Sequence, residues 1–536
     1  MESSSVDIPS MTLRDWDGIG VHMRQAADVV VVGAGINGLS AAALLATKGR
    51  SVIVLEEQPE PGGAVRTAEV TLPGFKHDLF AMNLGLFAGG PVNAALGQTL
   101  AQHGFALVPS AKPFCSVFPD GSMLGVEADV ERTIANVAAV APEDVAAWQR
   151  LTEQLGAWAP YLIGILGSDL PSWSAVRTLL KARKQLGMDG VYEMIRLALQ
   201  STRAFTEENF TSPKTRALTA SWGMHLDFAP DISGGALFSF LETIGGQLFG
   251  MVIGQGGAAC MINALVGTIE ANGGSVLCGQ RVTEFLVEGN RAVGVQLADG
   301  TQVRARRAVI SNVNPRLMPD LLPAQLRSEP VVQRARTFRP GLGTMMIHCA
   351  LDGLPPWTAS EAASYNYVHI GPWLDDMART YTQAAAGELP DSPTLVVGQP
   401  TVSDPSRAPE GQHVLWVQVR MLPLELADGR SWDEAGEAYA DQVMAKIEQY
   451  APGLSARVLA RTVLTPTDLE RANVNLILGD SLGGSHHPAQ FFFLRPVPGW
   501  GRHRAPVRDL FLCGAGTWPG GGVGGGSGAM VAAKVK

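Results

Sequence analysis

Two clusters of glycine residues stand at opposite ends of the sequence and have the spacing of ligand-binding turns. The first glycine cluster is the segment GAGING at residues 33–38, and the second glycine cluster covers residues 514–528. Each follows a short apolar run that is typical of a buried strand. Glycine lets a backbone approach a ligand closely and adopt a positive φ at little steric cost. The two clusters therefore predict one extended ligand, such as a dinucleotide, held by both.

The first glycine cluster lies in a complete β-α-β unit. A β-branched strand at residues 28–32 precedes it, a helix at residues 39–46 follows it, and a second strand at residues 51–55 leads into Glu56. Parallel strands joined by a helix in this way are typical of a nucleotide-binding sheet. A lone glycine motif is weak support, but the strands, the helix and the acidic residue around this one predict a dinucleotide site.

Each glycine of the first glycine cluster has a different task in such a unit. Gly33 makes the turn, Gly35 lets a pyrophosphate approach the backbone, and Gly38 lets the helix pack closely on the strand. The N-terminus of the helix supplies free N–H groups and a partial positive charge for the phosphates. Glu56 stands about twenty residues further on, where a carboxylate can hold the hydroxyl pair of a ribose.

Composition excludes several other classes of protein. The chain has 536 residues, of which 46% are hydrophobic, so it can bury a large core and form more than one domain. Its net charge of −9 argues against nucleic acid as a main partner. The five cysteines are scattered without a C-x-x-C pair, which favours isolated thiols in a reducing, cytoplasmic compartment over a disulfide framework or a metal site.

Membrane attachment is also constrained by the sequence. There is no run of 18 apolar residues, so we expect no transmembrane helix. The leader at residues 1–27 lacks the apolar core of a secretory signal and is predicted to be an irregular extension. Residues 176–188 are predicted to form a helix that mixes basic residues with leucines. Such a helix can rest on an anionic membrane surface, although a solvated helix face is the more common outcome.

Two further motifs resemble known flavoproteins. After Glu56 the chain continues with PGGAVRT at residues 61–67, which is similar to the continuation in FAD-dependent amine oxidases and carotenoid desaturases. The second glycine cluster, between a strand at residues 509–513 and a helix at residues 529–534, strongly resembles the C-terminal signature of the phytoene desaturase-like FAD oxidoreductases. That family includes carotenoid desaturases and isomerases, retinol saturase and a pyridine nucleotide-disulphide oxidoreductase domain 2-like branch. Similar pieces occur at residues 73–78, 401–411 and 490–496.

The resemblance implies an α/β fold with two parts. One is a Rossmann-type FAD-binding domain of the glutathione reductase and amine oxidase superfamily, and the other is an inserted α+β substrate lobe. We expect the FAD-binding domain at residues 28–109, 241–315 and 471–536. We expect the substrate lobe at residues 110–240, which are mainly helical, and at residues 316–470, which mix sheet and helix.

The resemblance also implies which residues contact FAD. The main chain at Val282 would lie against the adenine, and Arg66 could offset phosphate charge or fix the loop near the flavin. Backbone N–H groups near Val523 and Gly524 would lie at the N1–C2=O edge of the flavin, where a helix N-terminus stabilises the charge of the reduced ring. The predicted FAD-binding residues are Gly33, Gly35, Asn37, Gly38, Glu56, Glu57, Gly62, Gly63, Arg66, Val282, Gly514, Ala515, Gly516, Gly522, Val523 and Gly524.

The sequence contains no catalytic triad, and flavin chemistry needs none, because an apolar pocket that orients the substrate over the ring is sufficient. Many relatives have histidine where this chain has Trp518, whose ring could line the substrate side of the flavin or fill space beneath the loop. His225, Asp227, His486 and His487 are candidate acids or bases if one carbon loses a proton while its neighbour loses hydride. For a lone histidine a structural role is more common.

Three functions fit these motifs. The first is an FAD-dependent desaturase, dehydrogenase or oxidase that moves hydride from a carbon of an apolar, polyene-like small molecule to flavin N5. The second is an FAD-dependent oxidase of amines or other small polar molecules that produces hydrogen peroxide. For any of these functions, Arg495 could pair with a carboxylate substrate or with a structural acid, and the structural role is the more common. The third is a non-catalytic binding or chaperone protein on the fold of the Rab GDP-dissociation inhibitors, against which the intact glycine motifs and Glu56 argue.

Overall fold

The structure is a computed structural model that describes residues 25–536, so residues 1–24 of the predicted leader lie outside it. The first strand begins at Ala26, and the last two residues of the predicted extension therefore belong to a sheet. Buried valines form this strand, and a helix rich in alanine and leucine follows the glycine turn. The elements of this segment are β1 (Ala26–Val32), α1 (Ile36–Ala46), β2 (Val52–Leu55), β3 (Thr67–Ala68), β4 (His77–Asp78), α2 (Gly85–Ala88), α3 (Pro91–Gln102) and β5 (Leu107–Ser110).

The second segment is mainly helical, and serine or aspartate side chains cap four of its helices at the N-terminus. The boundary predicted after residue 240 falls inside its last helix, whose Phe240 and Ile244 pack in the core of the helical part. The helical part therefore extends to about Phe249. Its elements are β6 (Phe114–Val117), β7 (Met123–Val126), α4 (Val130–Val140), α5 (Val145–Leu166), α6 (Trp173–Leu199), α7 (Thr202–Asn209), α8 (Pro213–Met224) and α9 (Gly235–Phe249).

The third segment returns to the first sheet, as the sequence predicts. Its strands alternate buried and exposed residues where one face meets solvent, as in Val282–Glu288, and become fully buried toward Ser311. The elements are β8 (Met251–Gly254), α10 (Ala259–Ala271), β9 (Ser275–Leu277), β10 (Val282–Glu288), β11 (Arg291–Leu297) and β12 (Gln302–Ser311).

The remaining segments build a second sheet and then complete the first. Two predicted strands and the long predicted helix are present here. The elements are α11 (Met318–Leu321), α12 (Ala324–Arg327), α13 (Pro330–Gln333), β13 (Gly343–Leu351), β14 (Tyr367–Ile370), α14 (Leu374–Ala385), β15 (Thr394–Gly398), β16 (His413–Leu422), α15 (Trp432–Tyr450), β17 (Val458–Leu464), α16 (Pro466–Ala472), β18 (Leu510–Leu512) and α17 (Gly526–Ala532).

The first sheet is parallel at its centre. β1 lies between β2 and β12, β9 extends the β2 edge, and β18 adds to β12 on the other side. β12 is long enough to pair with β11 through its first half and with β18 through its last three residues. Ligands bind such sheets at the carboxyl ends of the strands. At this edge lie the first glycine cluster, Glu56, Asn312 and Gly514, each directly after a strand.

The second sheet has the order β17-β13-β16-β15-β14-β6-β7 and two different faces. Because side chains alternate along a strand, Ile347 and Val417 face α15, which covers this side through Tyr439 and Val443. The other face, which carries Tyr367 and Trp416, packs with the helical part of the chain. We call this sheet with its helices, α4–α9, α14 and α15, the lobe.

α6 forms where the sequence predicts a basic and apolar helix, with a break at Gly187. It exposes large apolar side chains: 78% of Trp173, 55% of Leu180 and 60% of Tyr192 are accessible to solvent. No helix within residues 25–536 is long and apolar enough to span a membrane.

A buried ion network joins three distant segments. The Arg407 guanidinium donates to the carboxylates of Asp78, at 2.5 Å, and Asp404, at 3.2 Å, and all three side chains are almost fully buried. Asp78 also accepts from the Ala258 N–H at the start of α10, and Asp404 accepts from the Gly256 N–H, both at 2.7 Å. The positive end of α10 thus faces the Asp78 carboxylate. We call these three side chains the Arg407 network.

Replacement of Arg407 by leucine should therefore destabilise the protein strongly, because two buried carboxylates lose their counter-ion. We expect a loss of about 3–5 kcal/mol in the free energy of unfolding, measured by equilibrium urea denaturation followed by circular dichroism. The matched control is Arg304→Leu, which removes an exposed pair with Glu288 and should cost at most about 1 kcal/mol. Equal losses in the two variants would contradict the importance of burial in the Arg407 network.

Candidate functional site

The first glycine cluster holds the β1–α1 turn against the end of β2. The Gly33 N–H donates to the Leu55 carbonyl at 2.8 Å, and the φ of Gly33 is +92°, which favours glycine. No side chain caps α1, whose first residues Ile36 and Asn37 line a cavity. An uncapped helix N-terminus directs free N–H groups and a partial positive charge outward. This end of α1 is therefore suited to an anionic group such as a pyrophosphate.

Glu56 is fixed beside this turn. One carboxylate oxygen accepts from the Ala34 N–H at 2.6 Å, and the other accepts from the Gln58 N–H at 3.0 Å. Burial raises the pKa of the Glu56 carboxyl, while these two hydrogen bonds act in the opposite direction. The side chain lines the cavity and keeps lone pairs for a further donor such as a ribose hydroxyl.

The cavity has a volume of about 430 Å³ and runs along the carboxyl edge of the first sheet. It brings together most of the residues predicted to bind FAD, from the turn after β1 to the turn after β18. Those that line it are Gly33, Gly35, Asn37, Glu56, Glu57, Gly63, Arg66, Val282, Gly514, Ala515 and Gly516. Arg66 is buried there and forms an ion pair with Glu60, which fixes the loop that follows β2.

Five of the predicted residues do not line this cavity. Gly38 faces the turn instead: a Cβ there would lie 2.3 Å from the Gly33 carbonyl oxygen, so its role is close packing. The Gly62 N–H donates to the Ala34 carbonyl at 2.9 Å. Gly522 and Gly524, with Val523 between them, lie against Leu86, and a Cβ on Gly522 would be 2.7 Å from the Leu86 Cδ1.

The two glycine clusters meet through helix packing. α17 lies on α1, and a Cβ on Gly528 would be 2.1 Å from the Asn37 carbonyl oxygen. The Gly528 N–H also points at the Asn37 side-chain oxygen, at 3.4 Å. The N-termini of both helices are thus held close to the same edge of the sheet, which fits one ligand that carries charge or polar oxygens at two places.

Arg495 is a buried clamp on the second glycine cluster. Its guanidinium makes five hydrogen bonds to the carbonyls of Gly483, Gly484, Ser485 and Ala515. Burial lowers its pKa to about 9, although the nearby Asp480 carboxylate opposes this shift. Within residues 25–536 it forms no ion pair with a carboxylate, so the structural acid considered for it is replaced by backbone carbonyls.

Trp518 is packed beneath the second glycine cluster. Its ring is buried, lies 5.1 Å from the Phe491 ring and 5.8 Å from the Phe492 ring, and does not line the cavity. Its indole N–H donates to the Ser168 carbonyl at 2.8 Å. Of the two roles left open by the sequence, these contacts favour the filling of space beneath the loop.

His225 and His486 are neutral structural groups. His225 Nε2 lies 3.2 Å from His369 Nε2, and burial, with the His369 and Arg420 charges, lowers the pKa of His225 well below its usual value. His486 Nε2 accepts from the Gly521 N–H at 2.9 Å, and burial likewise lowers its pKa. His486 thus orients the second glycine cluster, and neither imidazole is a base near neutral pH.

Asp227 and His487 form a pair with each other. The Asp227 carboxylate lies 3.5 Å from His487 Nε2 and accepts from the Leu342 N–H at 3.4 Å. Burial raises the pKa of Asp227, and the His487 charge acts against this shift. Its interactions are therefore committed to neighbouring protein groups, which is the arrangement of a structural acid.

Several residues of the cavity were not predicted from the sequence. Asn312 follows β12, and a Cβ on Gly33, Gly35 or Gly514 would lie within 3.3 Å of its side chain. A polar residue at the carboxyl end of a predicted parallel strand is a signal that could have identified it. Residues 473–475 also line the cavity; they directly follow α16, at the start of the last segment predicted for the FAD-binding domain, and carry no recognisable motif.

Comparison with known proteins identifies the class to which this fold and site belong. The family model for flavin containing amine oxidoreductases matches residues 36–535. Pyridine nucleotide-disulfide oxidoreductase domain-containing protein 2 of Rattus norvegicus is 30% identical over 94% of this chain and 92% of its own length. The neurosporene-forming phytoene desaturase of Cereibacter sphaeroides is 27% identical over 92% of this chain and 91% of its own.

Solved structures share the same fold. An oxidoreductase from Methanosarcina mazei aligns with a TM-score of 0.61 at 18% identity, covering 94% of this chain and 99% of its own. Cyclohexylamine oxidase from Brevibacterium oxydans aligns with a TM-score of 0.55 at 16% identity, covering 95% of this chain and 98% of its own.

The chain belongs to the flavin-containing amine oxidoreductase family. It is an FAD-dependent oxidoreductase, and the predicted α/β fold, the FAD cofactor and the resemblance to phytoene desaturase-like enzymes are confirmed. The donor set described above fits FAD: an uncapped helix end for the pyrophosphate, a buried carboxylate for the ribose, and a second helix N-terminus held beside the first.

Replacement of Gly528 by alanine should weaken FAD binding, because the new methyl group would push α17 away from α1. Overpacking of this kind costs about 1–3 kcal/mol, which corresponds to a weakening of roughly five- to 150-fold. The dissociation constant can be measured by flavin fluorescence during titration of the apoprotein. Gly526→Ala is the matched control, since no atom lies within 4 Å of its added Cβ. Equal affinity in both variants would rule out this packing requirement.

Proposed function

We propose that this oxidoreductase dehydrogenates an apolar, polyene-like small molecule by removing hydride from one of its carbons. FAD, when bound, accepts the hydride at flavin N5. The tasks left to the chain are to hold the cofactor, to orient the substrate and to exclude water. Glu56 and the main chain at Val282 would hold the adenosine end, the α1 N-terminus the pyrophosphate, and Val523 with Gly524 the flavin end.

The surroundings of the second glycine cluster carry this proposal. An aromatic group lies on one side of this cluster, where Phe491 packs on the rings of Phe238, Phe492 and Trp518 with centroids 5.0–5.5 Å apart. The Arg495 guanidinium nearby is already engaged by backbone carbonyls. Phe238 and Phe492 are only partly buried, so a substrate that approaches this region meets aromatic side chains, which favours a hydrocarbon over a charged molecule.

The relatives give the proposal limited support and keep one alternative. One relative at 27% identity is named a phytoene desaturase, which is consistent with a polyene substrate here. The family name and the cyclohexylamine oxidase fold are consistent with amine oxidation that produces hydrogen peroxide, but at 16% identity that structure supports the fold alone.

Anaerobic reduction of the flavin separates these alternatives. The holoenzyme mixed without oxygen with phytoene in detergent micelles should lose its flavin absorbance near 450 nm, a standard flavin band. Cyclohexylamine should leave that absorbance unchanged, because the aromatic side chains beside the second glycine cluster favour a hydrocarbon over a charged amine. Bleaching by cyclohexylamine, with hydrogen peroxide formed on readmission of air and no reaction with phytoene, would overturn the proposal in favour of the amine oxidase.

We also infer that α6 rests on an anionic membrane surface. Its exposed face combines Trp173 and Leu180 with the basic side chains of Arg177, Lys181 and Lys184. Apolar side chains that enter the interface, beside basic ones that attract anionic headgroups, are typical of an interfacial helix. An apolar substrate dissolves in a bilayer rather than in water, so contact with the bilayer would bring the protein to its substrate.

Sedimentation with lipid vesicles tests this contact. The protein should bind phosphatidylcholine vesicles that contain phosphatidylserine, and binding should weaken as salt is added. The variant Lys181→Glu should bind at least fivefold more weakly, since each basic residue near an anionic surface contributes about 1 kcal/mol. Arg336→Glu, on the exposed pair with Asp320, is the control of equal charge change. Equal losses in the two variants would show non-specific attraction and exclude a role of α6.

A further inference from the structure

Glu242 occupies a position on α9 between the second glycine cluster and the lobe sheet. Residues four apart share one face of a helix, so Phe238, Glu242 and Gly246 are aligned along α9. The Phe238 ring packs 5.5 Å from Phe491, beneath the second glycine cluster. A Cβ on Gly246 would lie 2.6 Å from the Phe114 ring of β6. Glu242 therefore faces the space between these two contacts.

The lobe sheet lines the same space with two aromatic side chains. Tyr367 lies opposite Phe114 in the paired strands β14 and β6. Phe114 contacts the Gly246 turn of α9, one turn from Glu242. Burial chiefly, and also the charges of Asp78 and Glu242, raise the pKa of the Tyr367 phenol. The Trp416 ring packs on Tyr367, with ring centroids 5.7 Å apart. Its buried indole N–H has no hydrogen-bond acceptor in the described part of the chain. A buried N–H group without an acceptor costs free energy, so the Trp416 indole would be stabilised by a further hydrogen-bond acceptor in this space.

The Glu242 carboxyl has no partner of its own. Between residues 25 and 536 no side chain or backbone group makes a hydrogen bond or an ion pair with it. Removal from water raises its pKa to about 7, and desolvation is the only cause of this shift. The side chain nevertheless keeps accessible surface and is only half-buried. Strong desolvation together with accessible surface is what a carboxyl facing an enclosed space would show.

Asp227 differs from Glu242 in this respect. Its carboxylate is held by His487 and by the Leu342 N–H, whereas Glu242 has no such restraint. A group that must give up or take a proton during a reaction needs a free lone pair directed at the reacting atom. Of these two carboxyls only Glu242 meets that condition.

We propose that Glu242 takes the proton from the substrate carbon adjacent to the carbon that gives up hydride. This inference rests on the function proposed above. Two C–H bonds break: the hydride, with its electron pair, goes to FAD, and the proton goes to the Glu242 carboxylate. The electron pair left at the second carbon forms the new C=C bond, so the substrate is oxidised by two electrons and FAD is reduced by two.

The position of Glu242 suits this task chemically. A carboxylate without partners in an apolar space is a stronger base than one in water, because desolvation disfavours its charge. It is also half ionised near neutral pH, where a general base is most effective. When Glu242 takes up a proton it becomes neutral. The cost of holding a poorly hydrated charge is then relieved, which favours the proton transfer.

The first experiment measures, without any substrate, the pH at which Glu242 ionises. A charge that appears beside the flavin should shift the absorbance of the holoenzyme, so we expect a spectral step with a midpoint near pH 7. Glu242→Gln should abolish the step and keep FAD bound. Glu127→Gln, a matched change of a buried glutamate hydrogen-bonded to Tyr365 in the lobe, should retain it. A step that persists in Glu242→Gln, or that disappears in Asp227→Asn instead, would overturn the proposal.

The second experiment tests proton transfer in anaerobic rapid mixing with phytoene. The wild-type rate of flavin bleaching should rise with pH and level off above about pH 7, since only the ionised carboxylate can take the proton. Glu242→Gln should bleach at least about 100-fold more slowly at every pH, while phytoene still binds and perturbs the flavin spectrum. Glu242→Asp should restore part of the rate.

The outcomes separate the inference from the function on which it rests. If phytoene and other polyenes fail to bleach the wild-type holoenzyme, the proposed function is wrong. If phytoene bleaches the wild-type protein and Glu242→Gln equally fast, the proposed function stands and the role of Glu242 is refuted.

Discussion

The buried Arg407 guanidinium is the interaction on which the architecture most depends. It ties the segment after the first glycine cluster, through Asp78, to the start of α10 and to the lobe, through Asp404. A guanidinium and two carboxylates lose much hydration when they are buried, so they are tolerated only in one geometry in which each charge meets its partner. That requirement fixes how the lobe sits over the edge of the first sheet that carries the cavity. A buried ion network of this kind determines the relative arrangement of the segments that it joins more than it adds to the free energy of unfolding.

Much of the cofactor half of the fold is predictable from the sequence because its signals are local. The strands, the turn at Gly33, the helix that follows and the acid at Glu56 all fall within one β-α-β unit, where spacing alone determines geometry. The Arg407 network carries no such local signal: Asp78 lies 329 residues before Arg407, and no periodicity links the two. The predicted domain boundary after residue 240 falls inside α9 for the same reason. The sequence of an apolar helix does not show against which hydrophobic core the helix packs.

The candidate acids and bases illustrate a second limit. Histidine and aspartate commonly transfer protons, so the sequence indicates His225 and Asp227 as candidates. In the structure burial keeps His225 neutral, and Asp227 is paired with His487. Glu242 lies in a helix without any motif, and what distinguishes it is the absence of a partner within the described chain. The sequence gives the type of each residue. Whether a side chain has a hydrogen-bond or ion-pair partner depends on contacts between distant segments of the folded chain.

The packing of α17 on α1 has a consequence for the order in which the molecule can be made. The ribosome delivers β1, α1 and Glu56 first, but β18 and α17, which complete the same sheet and the same cofactor site, emerge only after the whole lobe has been synthesised. The lobe segments of the nascent chain are therefore complete before β18 can pair with β12 in the first sheet. A ligand that needs both glycine clusters can for this reason bind only after the last strand and α17 have been added.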